Sequence, residues 1–308
     1  MAGYTDRAMR LVCAEWGAEY AVTEMVSAKA VVFGDKKTFA LAKIENDECP
    51  TAIQIFGSEP DIMAKGSLEL IKMSEANGCA MPRAIDINMG CPVHKIFSNG
   101  EGSALMKSPE LIYRITDAVR CEIDIPVTVK IRLGVDQGSL NAVECALAAE
   151  SGGASLVAVH GRTRTQMYGG EADMLGIKAV KDALKVPVIA NGDIKDVDSY
   201  KNALSATGAD GIMIGRGAVG NPFIFEEIRA FAEGREYHRP SLDVIKETAL
   251  RQLALAVADK GERVAIPEAR RQIANYFKGF SGCAALRAKI NSALTFSEVE
   301  KAVNDIKE

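Results

Sequence analysis

The sequence predicts an α/β protein: a (β/α)8 TIM barrel over residues 1–234 and a small all-α helical domain over residues 241–308. Three observations predict this. Apolar runs of strand length alternate with stretches of helical spacing over about the first 230 residues. The strands cease after about residue 235 while helical patterns continue, and most of the strand runs end in glycine or polar residues.

The predicted strands lie at residues 21–27, 51–58, 84–90, 127–134, 156–163, 186–193 and 211–217. Helical spacing separates several of them, as at residues 60–76, 108–119 and 139–152. Pro60 and Pro109 stand where the first turn of a helix tolerates proline. Strands that alternate with helices imply a parallel sheet, and seven such units favour an eightfold barrel over a doubly wound sheet.

Seven strands are one fewer than the barrel requires. The first helical stretch, residues 6–17, follows the initial residues directly, so we expect strand 1 to be missing or reduced to a stub at residues 1–3. The strands on either side of that gap would then present unpaired edges.

The helical tail is locally basic. Between Glu262 and Lys289 there are six Lys or Arg residues and two acids, a local charge of +4 in a chain of net charge −4. A solvated helix face would explain this equally well. Tyr276 and Phe277 beside Lys278 favour a nucleic-acid surface, because aromatic rings stack on bases while cations meet phosphates. Residues 234–240 read as a linker.

Composition narrows the class of protein. Hydrophobic residues make up 48% and charged residues 25%, as in ordinary globular proteins. No apolar run is long enough for a transmembrane helix, and the N-terminus lacks a secretory pattern, so we expect a cytoplasmic protein without membrane contact. Seven scattered cysteines without a CxxC pair fit a reducing compartment, and no ligand cluster has metal spacing.

Candidate site residues stand at the carboxyl ends of the predicted strands, which meet at one end of a barrel, here called its mouth. They are Glu24, Gln54, Asn88, Cys91, Lys130, Arg132, His160, Arg162, Asn191, Asp193 and Arg216. The segments "ANGD" (190–193) and "IGRG" (214–217) end the last two strands, where barrels commonly bind phosphate. Glycine-rich strand ends are also frequent without a ligand.

Lys130 lies within a strand, where an isolated ammonium is costly to bury. It is either a cation beside an anionic cofactor or half of a structural ion pair with Glu24 or Asp86. His160 ends its strand next to Arg162 and Arg164, which favours a functional role over a structural one.

Cys91 differs from the other cysteines by its position between Gly90 and Pro92, which end the strand and place the thiol at the mouth. It could act as a nucleophile, which requires a depressed pKa, or as a proton donor, which must stay protonated. The residues alone leave both roles open.

Taken together, these segments resemble the tRNA-dihydrouridine synthase family, and most closely its bacterial B-type branch. The resemblance covers essentially the whole chain and is most specific at "IDINMGCPVHKIFSNGEGSALMKSPEL" (85–111). Other matching segments are "TEMVSAKA", "PVTVKIRLG", "VAVHGRTRTQMYGGEAD" and "YFKGFSGCAALRAKIN".

The resemblance implies a flavoprotein oxidoreductase that reduces particular uridines of tRNA to 5,6-dihydrouridine, with FMN in the barrel, NADPH as electron donor and a tRNA-binding helical domain. It implies that Cys91 is the general acid. It implies cofactor contacts by Met1, Ala2, Gln54, Lys130, His160, Asn191, Gly192, Asp193, Gly215 and Arg216. It implies uracil contact by Asn88 and RNA contacts by Arg270, Arg271, Lys278 and Arg287.

One departure concerns the start of the chain. Family members begin with a strand that leads into Ala-Pro-Met-Ala-Gly, of which this sequence retains Met1, Ala2 and Gly3. The main alternative is another FMN-dependent barrel oxidoreductase acting on a small molecule, similar to dihydroorotate dehydrogenases; the basic tail argues against it. A non-catalytic RNA-binding protein is a second alternative, and the set of Cys91, Lys130 and His160 argues against that. We expect a monomer without metal.

Overall fold

The computed structural model describes residues 1–307. The chain forms two compact units. The barrel unit comprises residues 21–46 and 50–215, and the helical unit comprises residues 1–20, 47–49 and 216 onward. The boundary therefore falls at residue 215, whereas the sequence suggested a change of domain at residues 234–240.

Residues 1–20 contain the helix α1 (Arg7–Glu15) and, among the described residues, no strand. Asp6 caps this helix by accepting a hydrogen bond from the Met9 amide, and it supplies the start signal that the sequence pattern indicates. The expectation that no strand precedes the first helix is confirmed.

The barrel unit is built on an eight-stranded, entirely parallel sheet. Its strands are β1 (Ala21–Val22), β2 (Val26–Ser27), β3 (Thr51–Phe56), β4 (Ile85–Asn88), β5 (Val127–Arg132), β6 (Leu156–His160), β7 (Val188–Asn191) and β8 (Gly211–Met213). Each of the predicted strands is present, the first of them as the pair β1 and β2, which both pair with β3. Within the described residues β8 pairs with β7 alone, so the sheet is open along the edge where strand 1 was expected to be missing.

Helices follow the strands as the spacing predicts. They are α2 (Ala28–Val32), α3 (Lys36–Ala42), α4 (Pro60–Ala76), α5 (His94–Ser98), α6 (Pro109–Glu122), α7 (Ala142–Ser151), α8 (Met174–Ala183) and α9 (Val197–Thr207). Pro60 and Pro109 begin α4 and α6 as expected. A 3-10 helix, Gly102–Lys107, lies between α5 and α6.

The core of the barrel unit lies around the strands. Ile53, Ile55, Ile85 and Ile87 are fully buried and belong to one apolar cluster with Leu70 of α4. Strands covered by helices are apolar on nearly every residue, so the few polar positions between these isoleucines must be satisfied by one another or by a ligand.

The helical unit contains α10 (Ile224–Ala232), α11 (Leu242–Lys260), α12 (Glu262–Tyr276), α13 (Cys283–Ser292) and α14 (Phe296–Asn304), preceded by a 3-10 turn, Arg216–Ala218. None of the helices among residues 1–307 has the length and apolarity to cross a membrane.

One expectation for the helical unit is wrong. Tyr276 and Phe277 are 4% and 0% exposed and belong to its apolar core. The Tyr276 hydroxyl donates to Oε1 of buried Gln252 at 2.6 Å. These rings therefore stabilise the helical unit and are not available to stack on bases, because the helix turns its apolar stripe inward.

Candidate functional site

Neighbouring strands bring the polar positions of the barrel unit into rows. Gln54 on β3 pairs with Asp86 on β4, and Asp86 pairs with Thr128 on β5. Two residues closer to the carboxyl ends of the strands, Asn88 pairs with Lys130. Since side chains two residues apart share a face of the sheet, both rows face the same side.

A chain of hydrogen bonds joins these side chains. The buried Asp86 carboxylate accepts from Gln54 Nε2 at 2.7 Å and from Thr128 Oγ1 at 2.6 Å. Asn88 Nδ2 donates to Gln54 Oε1 at 2.9 Å. Thr23 Oγ1 accepts the Gln54 backbone N–H at 3.1 Å, so Gln54 is held at both its backbone and its amide. Such a network gives its members single defined orientations.

Lys130 places a cation in this face of the sheet. Its Nζ donates to Asn191 Oδ1 at 2.9 Å, while Asn191 Nδ2 donates to the Met213 carbonyl at 2.8 Å. An amide, rather than Glu24 or Asp86, is therefore its hydrogen-bond partner. The pKa of Lys130 is lowered to about 8, chiefly by burial and to a smaller extent by the charge of Arg132, while Asp86 partly offsets both effects.

Cys91 is held by its backbone on both sides. Its N–H donates to Asn88 Oδ1 at 2.9 Å, and its carbonyl accepts from the Ser103 N–H at 3.1 Å and from Ser103 Oγ at 2.8 Å. Gly102 has φ +60°, and a Cβ there would lie 3.0 Å from Cys91 Cβ, so glycine is required for this approach.

The thiol of Cys91 is half-buried, and burial raises its pKa; a backbone hydrogen bond at Val93 and the charge of Arg132 oppose this more weakly. The thiol is thus neutral near pH 7. A neutral thiol can donate a proton but is a poor nucleophile, so the environment favours the proton donor over the nucleophile, the two roles left open by the sequence.

The segment after Cys91 is fixed by an aromatic contact. The ring centroid of Phe97, on α5, lies 3.8 Å from the Arg164 guanidinium carbon and 4.6 Å from Lys107 Nζ. The ring thus lies against two cations, each attracted to its π-electrons. Helix α5 therefore contacts the loop after β6 through Arg164 and the 3-10 helix through Lys107.

Arg162 and Arg132 are buried cations that organise the loops at the strand ends. Arg162 donates to the carbonyls of Gly169 at 3.0 Å and Gly170 at 2.6 Å, and to Asp193 Oδ2 at 2.7 Å. Arg132 donates to the Gly90 carbonyl at 2.7 Å and to two carbonyls of the loop after β6. Both side chains therefore support the site rather than line it.

His160 and the turn after β7 lie next to the loop that follows β6. His160 is 8% exposed, with Nε2 3.4 Å from the Arg162 guanidinium. Gly192 has φ +131°, and a Cβ on it would lie 2.7 Å from Ala172 Cβ. Asp193, at φ +55°, accepts from both Arg162 and the Ala172 N–H. The turn at residues 191–193 is thus sterically and electrostatically defined.

Similarity to known proteins identifies the family. The sequence pattern of the family described as dihydrouridine synthase (Dus) matches residues 1–308. A tRNA-dihydrouridine synthase B from Pseudomonas putida is 38% identical over 293 residues, covering 95% of this chain and 85% of that protein. The chain belongs to the dihydrouridine synthase family.

Further similarities fit the same family and fold. A tRNA-dihydrouridine synthase B from Xanthomonas axonopodis is 39% identical over 296 residues, covering 96% of this chain and 87% of that protein. Histamine dehydrogenase from Rhizobium superposes with a TM-score of 0.53 at 13% identity, covering 82% of this chain. The chain spans 47% of that structure's length, and the likeness shows the barrel fold alone.

The remaining cofactor contacts expected from the family are divided between the two units. Gly215 is the last residue of the barrel unit, and Met1, Ala2 and Arg216 belong to the helical unit. The Met1 carbonyl accepts from the Tyr4 and Thr5 amides.

The expected RNA-contacting residues also lie in the helical unit. Arg271, Lys278 and Arg287 are exposed. Arg270 is partly buried and donates to the Ala293 carbonyl at 2.9 Å, so part of its guanidinium is engaged in the fold.

Three residues of this candidate site were not singled out from the sequence: Asp86 as a hydrogen-bonding centre, Thr128, and Ser103. Asp86 and Thr128 each precede a named candidate by two positions in a strand, so the two-residue period is the signal that could have found them. Ser103 comes into contact with Cys91 through the 3-10 helix, which has no comparable pattern.

The donor set fits an anionic cofactor that accepts hydrogen bonds. An ammonium carries three N–H groups and Lys130 uses one on Asn191; the Gln54 amide nitrogen carries two and uses one on Asp86. Unused donors in a half-buried site favour a ligand that accepts hydrogen bonds. Within the described residues, no group of three or more His, Cys, Asp or Glu could hold a metal ion.

Proposed function

We propose that this protein reduces specific uridines of tRNA to 5,6-dihydrouridine, with FMN as its cofactor and NADPH as the electron donor. The carrying observation is that a chain of the dihydrouridine synthase family has both a neutral, backbone-anchored Cys91 thiol and the Lys130 cation at the strand ends of its barrel unit. The matched relatives bear the name tRNA-dihydrouridine synthase, which supports tRNA as the substrate.

The cofactor would be held by residues of several strands. Lys130 would place its charge beside the flavin ring, Gln54 would donate to the ring, and His160 would line it. The phosphate would be bound by the segment at residues 191–193 with Gly215. When bound and reduced by NADPH, FMN supplies the hydride that adds to C6 of the uracil.

Cys91 would complete the reduction. Addition of hydride at C6 leaves negative charge on the uracil, which is neutralised when the Cys91 thiol transfers its proton to C5; the resulting thiolate regains a proton from solvent. Asn88, whose amide is held by Gln54 and by the Cys91 backbone, would orient the uracil. Burial supports this role because it keeps the thiol protonated beforehand.

The helical unit would bind the RNA through its exposed cations. Arg271, Lys278 and Arg287 are exposed on α12, α13 and the turn between them, and they would contact phosphates, with Arg270 contributing part of its guanidinium. We place this activity in the cytoplasm, and we propose that the protein acts as a monomer.

The test is reduction of unmodified tRNA by purified protein with NADPH, followed by mapping of dihydrouridine. The holoprotein should absorb at about 450 nm, as oxidised flavins do. Cys91→Ala should lose most of the reduction, typically 10²-fold or more for a removed general acid, while Cys121→Ala, at an exposed cysteine, should retain it.

Two outcomes would contradict the proposal. Absence of dihydrouridine at every uridine would reject the function. Full activity of Cys91→Ala would reject its role as proton donor. A protein that oxidises NADPH with a small unsaturated substrate but leaves tRNA unchanged would instead belong with the small-molecule oxidoreductases considered from the sequence.

A further inference from the structure

Among residues 1–307, Asp86 is the one carboxylate in the hydrogen-bond network around Cys91, and the proposed reaction assigns it no role. Its side chain is buried on β4, 3% exposed. Both of its hydrogen bonds come from uncharged donors, Gln54 Nε2 at 2.7 Å and Thr128 Oγ1 at 2.6 Å. Burying a charge for packing alone is costly, so its position requires an explanation.

The carboxylate determines which way its neighbours face. A carboxylate only accepts hydrogen bonds, so the nitrogen of the Gln54 amide must face Asp86 and its oxygen must face Asn88. The Asn88 nitrogen then donates to Gln54, which leaves the Asn88 oxygen to accept from the Gly90 N–H at 3.2 Å and the Cys91 N–H at 2.9 Å. Reversing either amide would oppose two donors or two acceptors.

We propose that Asp86 is a positioning residue that sets the orientation of the Gln54 and Asn88 amides and, through them, the backbone of Cys91. The same orientation leaves one N–H on each amide nitrogen for a ligand. Those are the groups that the proposed function directs to the cofactor and the uracil, so this inference rests on that function.

Thr128 provides a matched comparison, because it donates to the same carboxylate. A hydroxyl rotates and can donate or accept, so it does not define an orientation. Thr128→Val therefore removes one hydrogen bond and keeps the direction of both amides. Asp86→Asn keeps the shape but lets all three amides reverse together, which in the reversed state leaves the Cys91 N–H without its acceptor.

The experiment compares Asp86→Asn, Thr128→Val and the double variant Asp86→Asn/Gln54→Glu. The double variant moves the carboxylate from position 86 to position 54, its neighbour in the hydrogen-bond network. There it can accept from the amide at position 86 and from Asn88 Nδ2. It therefore restores the direction of Asn88 without restoring Asp86. The readout is the rate at which iodoacetamide alkylates Cys91, measured by mass spectrometry of its peptide with the exposed Cys121 as internal reference.

We expect Cys91 to be alkylated about tenfold faster in Asp86→Asn, because losing a buried hydrogen bond frees the segment. Thr128→Val should stay within about twofold of the wild type, and the double variant should return to the wild-type rate. Its flavin affinity should remain weak, because position 54 no longer donates. In tRNA reduction, kcat should fall for Asp86→Asn with KM for tRNA unchanged.

The inference is overturned if Asp86→Asn alkylates at the wild-type rate, if Thr128→Val matches Asp86→Asn, or if the double variant fails to recover. Should circular dichroism show that Asp86→Asn does not fold, Asn88→Ser tests the last link with the carboxylate intact, and an unchanged alkylation rate overturns the inference as well. A wild-type protein that makes no dihydrouridine refutes the proposed function alone, because alkylation does not depend on turnover.

Discussion

Lys130→Met tests the electrostatics of the barrel mouth. The wild-type Lys130 side chain is half-buried, and its pKa is lowered from 10.5 to about 8, chiefly by burial. Methionine has a similar volume and no charge, so the substitution removes the titration while keeping most of the packing. The stability of the two proteins should therefore respond differently to pH.

The direction follows from proton linkage. Between pH 8 and 10.5 the unfolded chain holds the Lys130 proton while the folded protein has released it, so the free energy of unfolding rises with pH in this window. Below that window both states are protonated and the folded protein bears the full cost of the buried charge. At 1.36 kcal/mol for each pKa unit, the difference across the window is up to about 3 kcal/mol.

The assay is urea unfolding of the cofactor-free protein followed by far-ultraviolet circular dichroism from pH 7.5 to 10.5. Fluorescence is unsuitable, because the single tryptophan, Trp16, lies in the helical unit. The free energy of unfolding of Lys130→Met, relative to wild type, should be highest at pH 7.5 and should fall by about 3 kcal/mol by pH 10.5. Lys65→Met, at an exposed lysine of α4, should follow the wild type. Parallel curves for wild type and Lys130→Met would refute the argument.

Three further substitutions test the supports of the site. Arg162→Met should lose about 3–5 kcal/mol in urea unfolding, because it leaves two loop carbonyls and Asp193 without their buried cation; a loss below about 1 kcal/mol would contradict this. Tyr276→Phe should lose about 1–3 kcal/mol of stability, because Gln252 Oε1 loses its donor, and titration should show unchanged flavin affinity. Gly102→Ala should lower the melting temperature by several degrees and speed Cys91 alkylation, because of its positive φ and the close Cβ contact; unchanged values would show that the segment adjusts freely.

Much of the barrel could be predicted because its signals are local. Apolar runs ending in glycine or polar residues locate the strands, and the helix starts at Pro60 and Pro109 follow from the fixed φ of proline. The mouth residues follow from the rule that strands of a barrel end at one face. Cys91 and Lys130 were named as candidates in this way.

What could not be predicted depends on contacts between distant residues. Gln54 lies 32 positions from Asp86, and Thr128 lies 42 positions beyond it, so their hydrogen bonds follow from the strand register and not from any local spacing. The misassigned Tyr276 shows the same limit in the helical unit. The sequence of a basic, aromatic segment is the same whether its rings face solvent or the core. Only the packing of the helices determines which of the two they face.

The shifts at Cys91 and Lys130 have one cause. Burial raises the pKa of the thiol and lowers that of the ammonium, so the mouth disfavours charge on either group. An anionic ligand beside Lys130 would reverse this for the lysine, since a paired charge favours the protonated form, while the thiol would stay neutral. Binding of the anion would then take up a proton near pH 8, and the site would hold a cation for the ligand and a transferable proton at the same time. A single anionic ligand would thus leave Lys130 charged and Cys91 neutral, which are the protonation states that their two proposed roles require.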